Sequence, residues 1–141
     1  MTKKDHIVHF EIPADDLERA QKFYSEIFGW EIKKFDMPAT GSTGGEPYYS
    51  VYAAETDEKG MTKTPGAING GMMKRKMPGQ PFMNYISVDS IDEKLETIKE
   101  HGGEICMPKT EIAPDMGWIA CFKDTEGNMM GLHQISPTMK K

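Results

Sequence analysis

In residues 7–12, IVHFEI, apolar and polar positions alternate from Val8 onward before the period changes. Alternation sends successive side chains to opposite faces, the mark of a half-buried strand. Leu17, Ala20, Tyr24, Ile27 and Phe28 then follow at helical spacing and predict one apolar stripe of a helix. Asp15-Asp16 supplies its cap, with Glu18 three residues after Asp15 as a capping box, and Gly29 supplies its stop. Trp30-Glu31-Ile32 opens the next strand.

The same order returns from residue 82. FMNYISV reads as a strand, Ser90 as a cap with Glu93 three residues on, and Ile91, Leu95 and Ile98 as the stripe. Gly102-Gly103 end this helix, and Glu104-Ile105 begin a strand. His9 lies eight residues before Leu17, as Met83 lies eight before Ile91. The later segments also correspond. Tyr48–Tyr52 and Trp118–Phe122 are aromatic-rich strands, and Gly66-x-x-x-Gly70 answers Gly127-x-x-x-Gly131 in the last strand of each half. Residues 36–47 and 55–65 read as polar loops rich in Gly and Pro.

Each half therefore predicts strand, helix and three strands. The expected fold is α+β: one domain over residues 1–141, built of two tandem βαβββ modules, 5–76 and 82–136. A four-stranded sheet with one helix covers only one of its faces. Two such curved sheets side by side can form a shared cup, the natural place for a ligand.

Composition narrows the function. The chain has 17 basic and 22 acidic residues, which argues against nucleic acid as a partner. The run Lys74-Arg75-Lys76 precedes Pro78-Gly79-Gln80-Pro81 and reads as a solvated linker. No apolar stretch is long enough to cross a bilayer, and the N-terminal residues lead straight into a strand, so a cytoplasmic protein with no membrane contact is expected. Cys106 and Cys121 lie in apolar strand contexts and are expected to be buried, reduced thiols, with a single disulfide between them as the alternative; no Cys-x-x-Cys pair is present for zinc. GSTGG at 41–45 lacks the lysine and helix of a phosphate loop, and no Gly-x-Ser-x-Gly elbow occurs. His6 and His101 are expected to be exposed, and Asp124 and Glu126 to serve a turn.

The segments VHFEIPADDLERAQKFYSEIFGW, VDSIDEKLETIKEHGGEI and FKDTEGNMMGLHQ carry a resemblance to a known family. With the strands between them, the chain resembles the vicinal oxygen chelate superfamily, which includes glyoxalase I, bleomycin-resistance proteins and extradiol dioxygenases, and within it the glyoxalase-like branch. The resemblance implies a small-molecule ligand, a homodimer and a divalent metal held from the first and last strand of each module. Carried over residue by residue, those metal positions fall on His9, Gly70, Met83 and Gly131. Only His9 is a competent ligand, and a catalytic zinc needs at least three from the protein. No cofactor is therefore expected, with zinc, nickel or iron as the alternative.

Alternation also predicts what faces the cup. Ile7, His9 and Glu11 face it from the first strand, opposite Val8, Phe10 and Ile12. Ile68, Gly70 and Met72, then Met83, Tyr85 and Ser87, then Trp118, Ala120 and Phe122, and finally Met129 and His133, complete the expected lining. His9, Glu11 and His133 are the candidate catalytic groups, since imidazoles beside a carboxylate can exchange protons near neutral pH. Met72, Met83, Tyr85, Trp118, Phe122 and Met129 are the candidate ligand-binding set. Two functions follow. One is a metal-free protein that binds a small apolar or aromatic molecule. The other is a glyoxalase-like lyase or isomerase acting on a small carbonyl compound.

Overall fold

A computed structural model describes residues 3–38, 41 and 43–137, so the expected loop 36–47 lies partly outside the described residues. The elements are β1 (His6–Ala14), α1 (Leu17–Phe28), β2 (Glu31–Phe35), β3 (Tyr48–Tyr52), β4 (Gly70–Lys74), β5 (Met83–Ser87), α2 (Ile91–Glu100), β6 (Glu104–Glu111), β7 (Trp118–Lys123) and β8 (Met129–Gln134). Asp16, not Asp15, caps α1 and accepts from the Arg19 backbone N–H at 3.0 Å. Asp15 instead pairs with Arg75. Gly29 ends α1 at φ 72°, a left-handed conformation that glycine adopts without steric cost. Ser90 caps α2 by accepting from the Glu93 N–H.

The eight strands form one sheet in the order β2-β3-β4-β1-β5-β8-β7-β6. β1 pairs in parallel with β4, and β5 with β8; β1 and β5 run antiparallel and join the halves. The order reads alike from either end once β1–β4 are matched to β5–β8, as the sequence repeat predicts.

Register sets which residues share a face. Phe10 stands opposite Gly70 and Asn84, and Ile12 opposite Met72. Ile12 and Met72 join Ile32, Tyr49 and Val51 in a core under α1, with Leu17, Ala20 and Tyr24 packed on it. Ile86 and Leu132 stand opposite each other, as do Leu132 and Ala120. With Val88 and Ile91 they form the core under α2. Asn84 and Ile86 share a face of β5, so both helices cover one side of the sheet. The other side is the concave face. His9, Tyr85, Gly131 and Cys121 lie across it in register.

The same pairings correct several expected orientations. Met72 is fully buried on the helix side, because its register with Ile12 commits it there. Gly70 lies on that side too, and Gly71 is the glycine that faces the cup opposite Glu11. Trp118, Ala120 and Phe122 also pack toward α2. Parity decides this: with Cys121 opposite Gly131, the even-numbered residues of β7 must face the helix. Ile7 stands opposite Ile86, since the register slips between Ile7 and His9 and Val8 is the extra residue. On α1, Ile27 and Phe28 are 57% and 58% exposed, and the Phe28 ring lies against Tyr24 and Trp30.

Candidate functional site

Glu11 is the centre of the concave face, with its side chain 14% exposed. Two phenols cap its carboxylate. Tyr85 donates to Oε1 at 2.8 Å and Tyr48 to Oε2 at 3.1 Å. The Tyr48 hydroxyl has one hydrogen, and it is donated to Glu11. Its oxygen therefore accepts from His9, whose Nε2 is 2.8 Å away, so that nitrogen carries a hydrogen. His9 Nε2 is also 3.6 Å from Glu11 Oε2, an ion pair when the imidazole is protonated. The edge of one ring meets the face of the other where His9 packs on Tyr85, with centroids 5.5 Å apart.

Two glycines make room for these tyrosines. A Cβ added to Gly71 would collide with the Tyr48 hydroxyl, and one added to Gly131 with the Tyr85 ring. The last strand of each half thus gives up a side chain so that a tyrosine can lie across it. Burial, and then the charge of Glu11, raises both phenols above their ordinary range, Tyr48 well above. They stay protonated and serve as hydrogen-bond donors at any physiological pH.

His133 lies on the same face, two residues beyond Gly131 and opposite Ser87. Its imidazole makes no side-chain hydrogen bond among the described residues, and burial followed by the charge of His9 holds its pKa below the ordinary 6.5. It is therefore neutral at pH 7 with a nitrogen lone pair to spare. Met83, opposite Glu11, and Met129, opposite Lys123, also face the concave side. Of the expected binding residues, then, Met83, Tyr85 and Met129 share the concave face with His9, Glu11 and His133. Met72, Trp118 and Phe122 lie beneath the helices.

Tyr48 and Gly71 are the site residues that sequence reasoning missed. Tyr48 was visible only as part of an aromatic strand. Its approach to Glu11 depends on the β3–β4 register, which no local pattern reveals.

The divalent metal of the resemblance does not fit this set. The last-strand positions of the concave face are glycines, Met83 is a thioether, and both oxygens of Glu11 already accept from phenols. No group of three or more His, Cys, Asp or Glu able to hold a metal ion occurs among the described residues. A hard or borderline divalent ion needs nitrogen and oxygen ligands that are missing here.

Comparison with known proteins agrees with the fold and the duplicated pattern. The family model of the glyoxalase/bleomycin resistance protein/dioxygenase superfamily matches residues 6–132. The chain belongs to this superfamily. Within the superfamily's likenesses, a glyoxylase-like domain-containing protein of Didymella fabae is 32% identical over 132 residues, covering 91% of this chain and 92% of that protein. Lactoylglutathione lyase GLX1 of Arabidopsis thaliana is 26% identical over 96% of this chain, which spans only 47% of that enzyme. A solved methylmalonyl-CoA epimerase, in complex with methylmalonyl-CoA and an ammonium ion, superposes with a TM-score of 0.66 at 14% identity, covering 94% of this chain and 96% of that one. At that identity the likeness concerns the fold alone.

Proposed function

We propose that this superfamily member acts as one glyoxalase-like domain of two modules, binds a small carbonyl compound on its concave face, and moves a proton on it without a metal. The observation that carries this reading is the chain Glu11–Tyr48–His9 beside a neutral, unpartnered His133. Proton transfer at a carbon next to a carbonyl needs a base for the carbon and a donor for the oxygen. His133 has the free lone pair. Its nitrogen takes the proton, the C–H electron pair becomes a C=C bond, and the carbonyl oxygen gains the negative charge.

His9 serves as the donor. Tyr48 and Glu11 hold its Nε2, which leaves Nδ1 without a partner among the described residues. When His9 is protonated, Nδ1–H can donate to the developing oxyanion while Glu11 balances the imidazolium. Return of the proton to the same carbon, or loss of a leaving group from the next one, gives isomerase or lyase chemistry. The polar character of the face favours this reading over simple capture of an apolar molecule, because Met72, Trp118 and Phe122 do not line it.

The same reading places the protein in the cytoplasm as a homodimer. Phe23, Ile27 and Phe28 support pairing: they leave an apolar outer face on α1, each more than half exposed. Sedimentation should give twice the monomer mass, and a monomer at high concentration would count against the pairing.

The decisive assay is hydrogen exchange in deuterium oxide. Small aldehydes, ketones and thioesters are incubated with the protein, and loss of the C–H signal beside the carbonyl is followed by proton NMR. Catalysed exchange should fall by roughly 10²–10⁴ in His133→Ala, the usual worth of a general base. An absence of both exchange and thermal stabilisation across the panel would defeat the proposal.

A further inference from the structure

The chain's two cysteines lie outside the acid–base cluster, both as free thiols, with Cys106 exposed and Cys121 buried. The sequence-based expectation of two buried thiols is thus corrected for Cys106, which lies on the edge strand β6. The β6–β7 register explains its position. Glu104 stands opposite Lys123 and Ile105 opposite Phe122, and then Met107, not Cys106, stands opposite Cys121.

Cys106 is the extra residue of a β-bulge. At a bulge, two residues of one strand oppose a single residue of the other. Cys106 and Met107 therefore share Cys121 as their opposite residue. Opposed residues of an antiparallel pair have Cα atoms about 4.5–5.5 Å apart, within the roughly 4.4–6.8 Å that a disulfide spans. In an unbroken ladder, with Ile105 opposite Phe122, Cys106 would stand directly opposite Cys121; the bulge keeps it next to that position and sets Met107 opposite the same residue. The proximity is felt by the buried thiol, since burial and then Cys106 push Cys121 up to about 12.

We propose that Cys106 and Cys121 are a reversible redox pair, closed into an intramolecular disulfide by hydrogen peroxide and reopened by a small thiol. The sulfur of Cys106, the accessible one, attacks a peroxide oxygen. The O–O bond breaks, water leaves, and Cys106 becomes a sulfenic acid. The Cys121 sulfur then attacks Cys106, forming the S–S bond as the S–O bond breaks. The hydroxyl departs with the Cys121 proton as a second water. Two thiols are oxidised with the loss of two hydrogen atoms, and one peroxide is reduced to two waters.

Closure reaches the concave face. Cys121 stands opposite Gly131, Gly131 stands opposite Tyr85, and Cys121 interacts electrostatically with Tyr85. Bonding Cys121 toward the edge strand removes its thiol from that neighbourhood, and Tyr85 is one of the two donors to Glu11. The disulfide stands independently of any reaction at Glu11; only a change in activity on closure rests on the proposed function.

The test uses the full chain, treated with hydrogen peroxide, alkylated with N-ethylmaleimide and mapped by mass spectrometry without reductant. The Cys106 and Cys121 peptides should appear linked, lighter by two hydrogen atoms, and separate again on dithiothreitol. Cys121→Ser should instead trap a dimedone adduct on Cys106, and Cys106→Ser should leave Cys121 a thiol. Tyr85 ring signals should shift on oxidation of the wild type and stay fixed in Cys106→Ser. Oxidation of Cys106 to sulfinic acid with Cys121 still a thiol, or links formed only between two copies, would overturn the proposal.

Discussion

Gly71 shows how one missing side chain shapes the concave face. Its Cβ position is taken by the Tyr48 hydroxyl, which ties Glu11 to His9. Gly71→Ala should displace Tyr48 and destabilise the fold by about 1–3 kcal/mol, the usual cost of overpacking. Loss of the Tyr48–His9 contact should appear as a shift of the His9 ring signals in NMR. His133 sets a pH dependence with a definite sign. Its folded pKa lies below the ordinary 6.5, so between those values the unfolded chain binds more protons. Stability should therefore be fully present above pH 6.5 and fall as pH drops through the lowered value. If His133 is the base, exchange activity declines over the same acidic window. Urea titrations across that range should show the stability trend vanish in His133→Phe.

At the level of elements, parity along each strand decides which residues meet a ligand and which hold the helices. β4 and β7 show this most clearly. Met72 is sealed under α1, and Trp118 and Phe122 pack toward α2. Met72→Ala should cost about 2–5 kcal/mol, as large-to-small changes in cores do, and leave ligand affinity unchanged at temperatures where the variant is folded. Calorimetry paired with ligand titration separates the two effects. A loss of affinity without a loss of stability would return Met72 to the cup. The helices were the more legible elements. Ser90 and Gly29 cap as their sequence contexts suggest, because capping is a local exchange between a side chain, or a left-handed turn, and the nearest backbone groups. The apolar stripe of α1 runs on to Ile27 and Phe28, which stand more than half exposed, because helical spacing says which face they share but not where the sheet beneath them ends.

For the whole molecule, the duplicated order of elements produces one sheet with both helices on one side and an open concave face on the other. That architecture presents four last- and first-strand positions to a common centre, and here they hold one imidazole, one thioether and two glycines overlain by tyrosines. Protein purified without chelator should contain well under one equivalent of zinc, nickel or iron by elemental analysis, and dialysis against EDTA should leave its melting temperature unchanged. A full equivalent of metal, lost on His9→Ala, would contradict that. The sequence by itself determined the repeat, the element order, the superfamily and the presence of His9, Glu11 and His133, because hydrophobic period, caps and motif spacing are written locally along the chain. Only the tertiary structure decided the face of each strand, the cap of two tyrosines on Glu11 and the meeting of Cys106 with Cys121. Those outcomes depend on inter-strand register, which sets Cys106 against Cys121, and on the slip at Val8, since a shift of one residue turns a side chain to the opposite face. IVHFEI placed His9 and Glu11 together; Tyr48, 37 residues beyond Glu11, is what joins them.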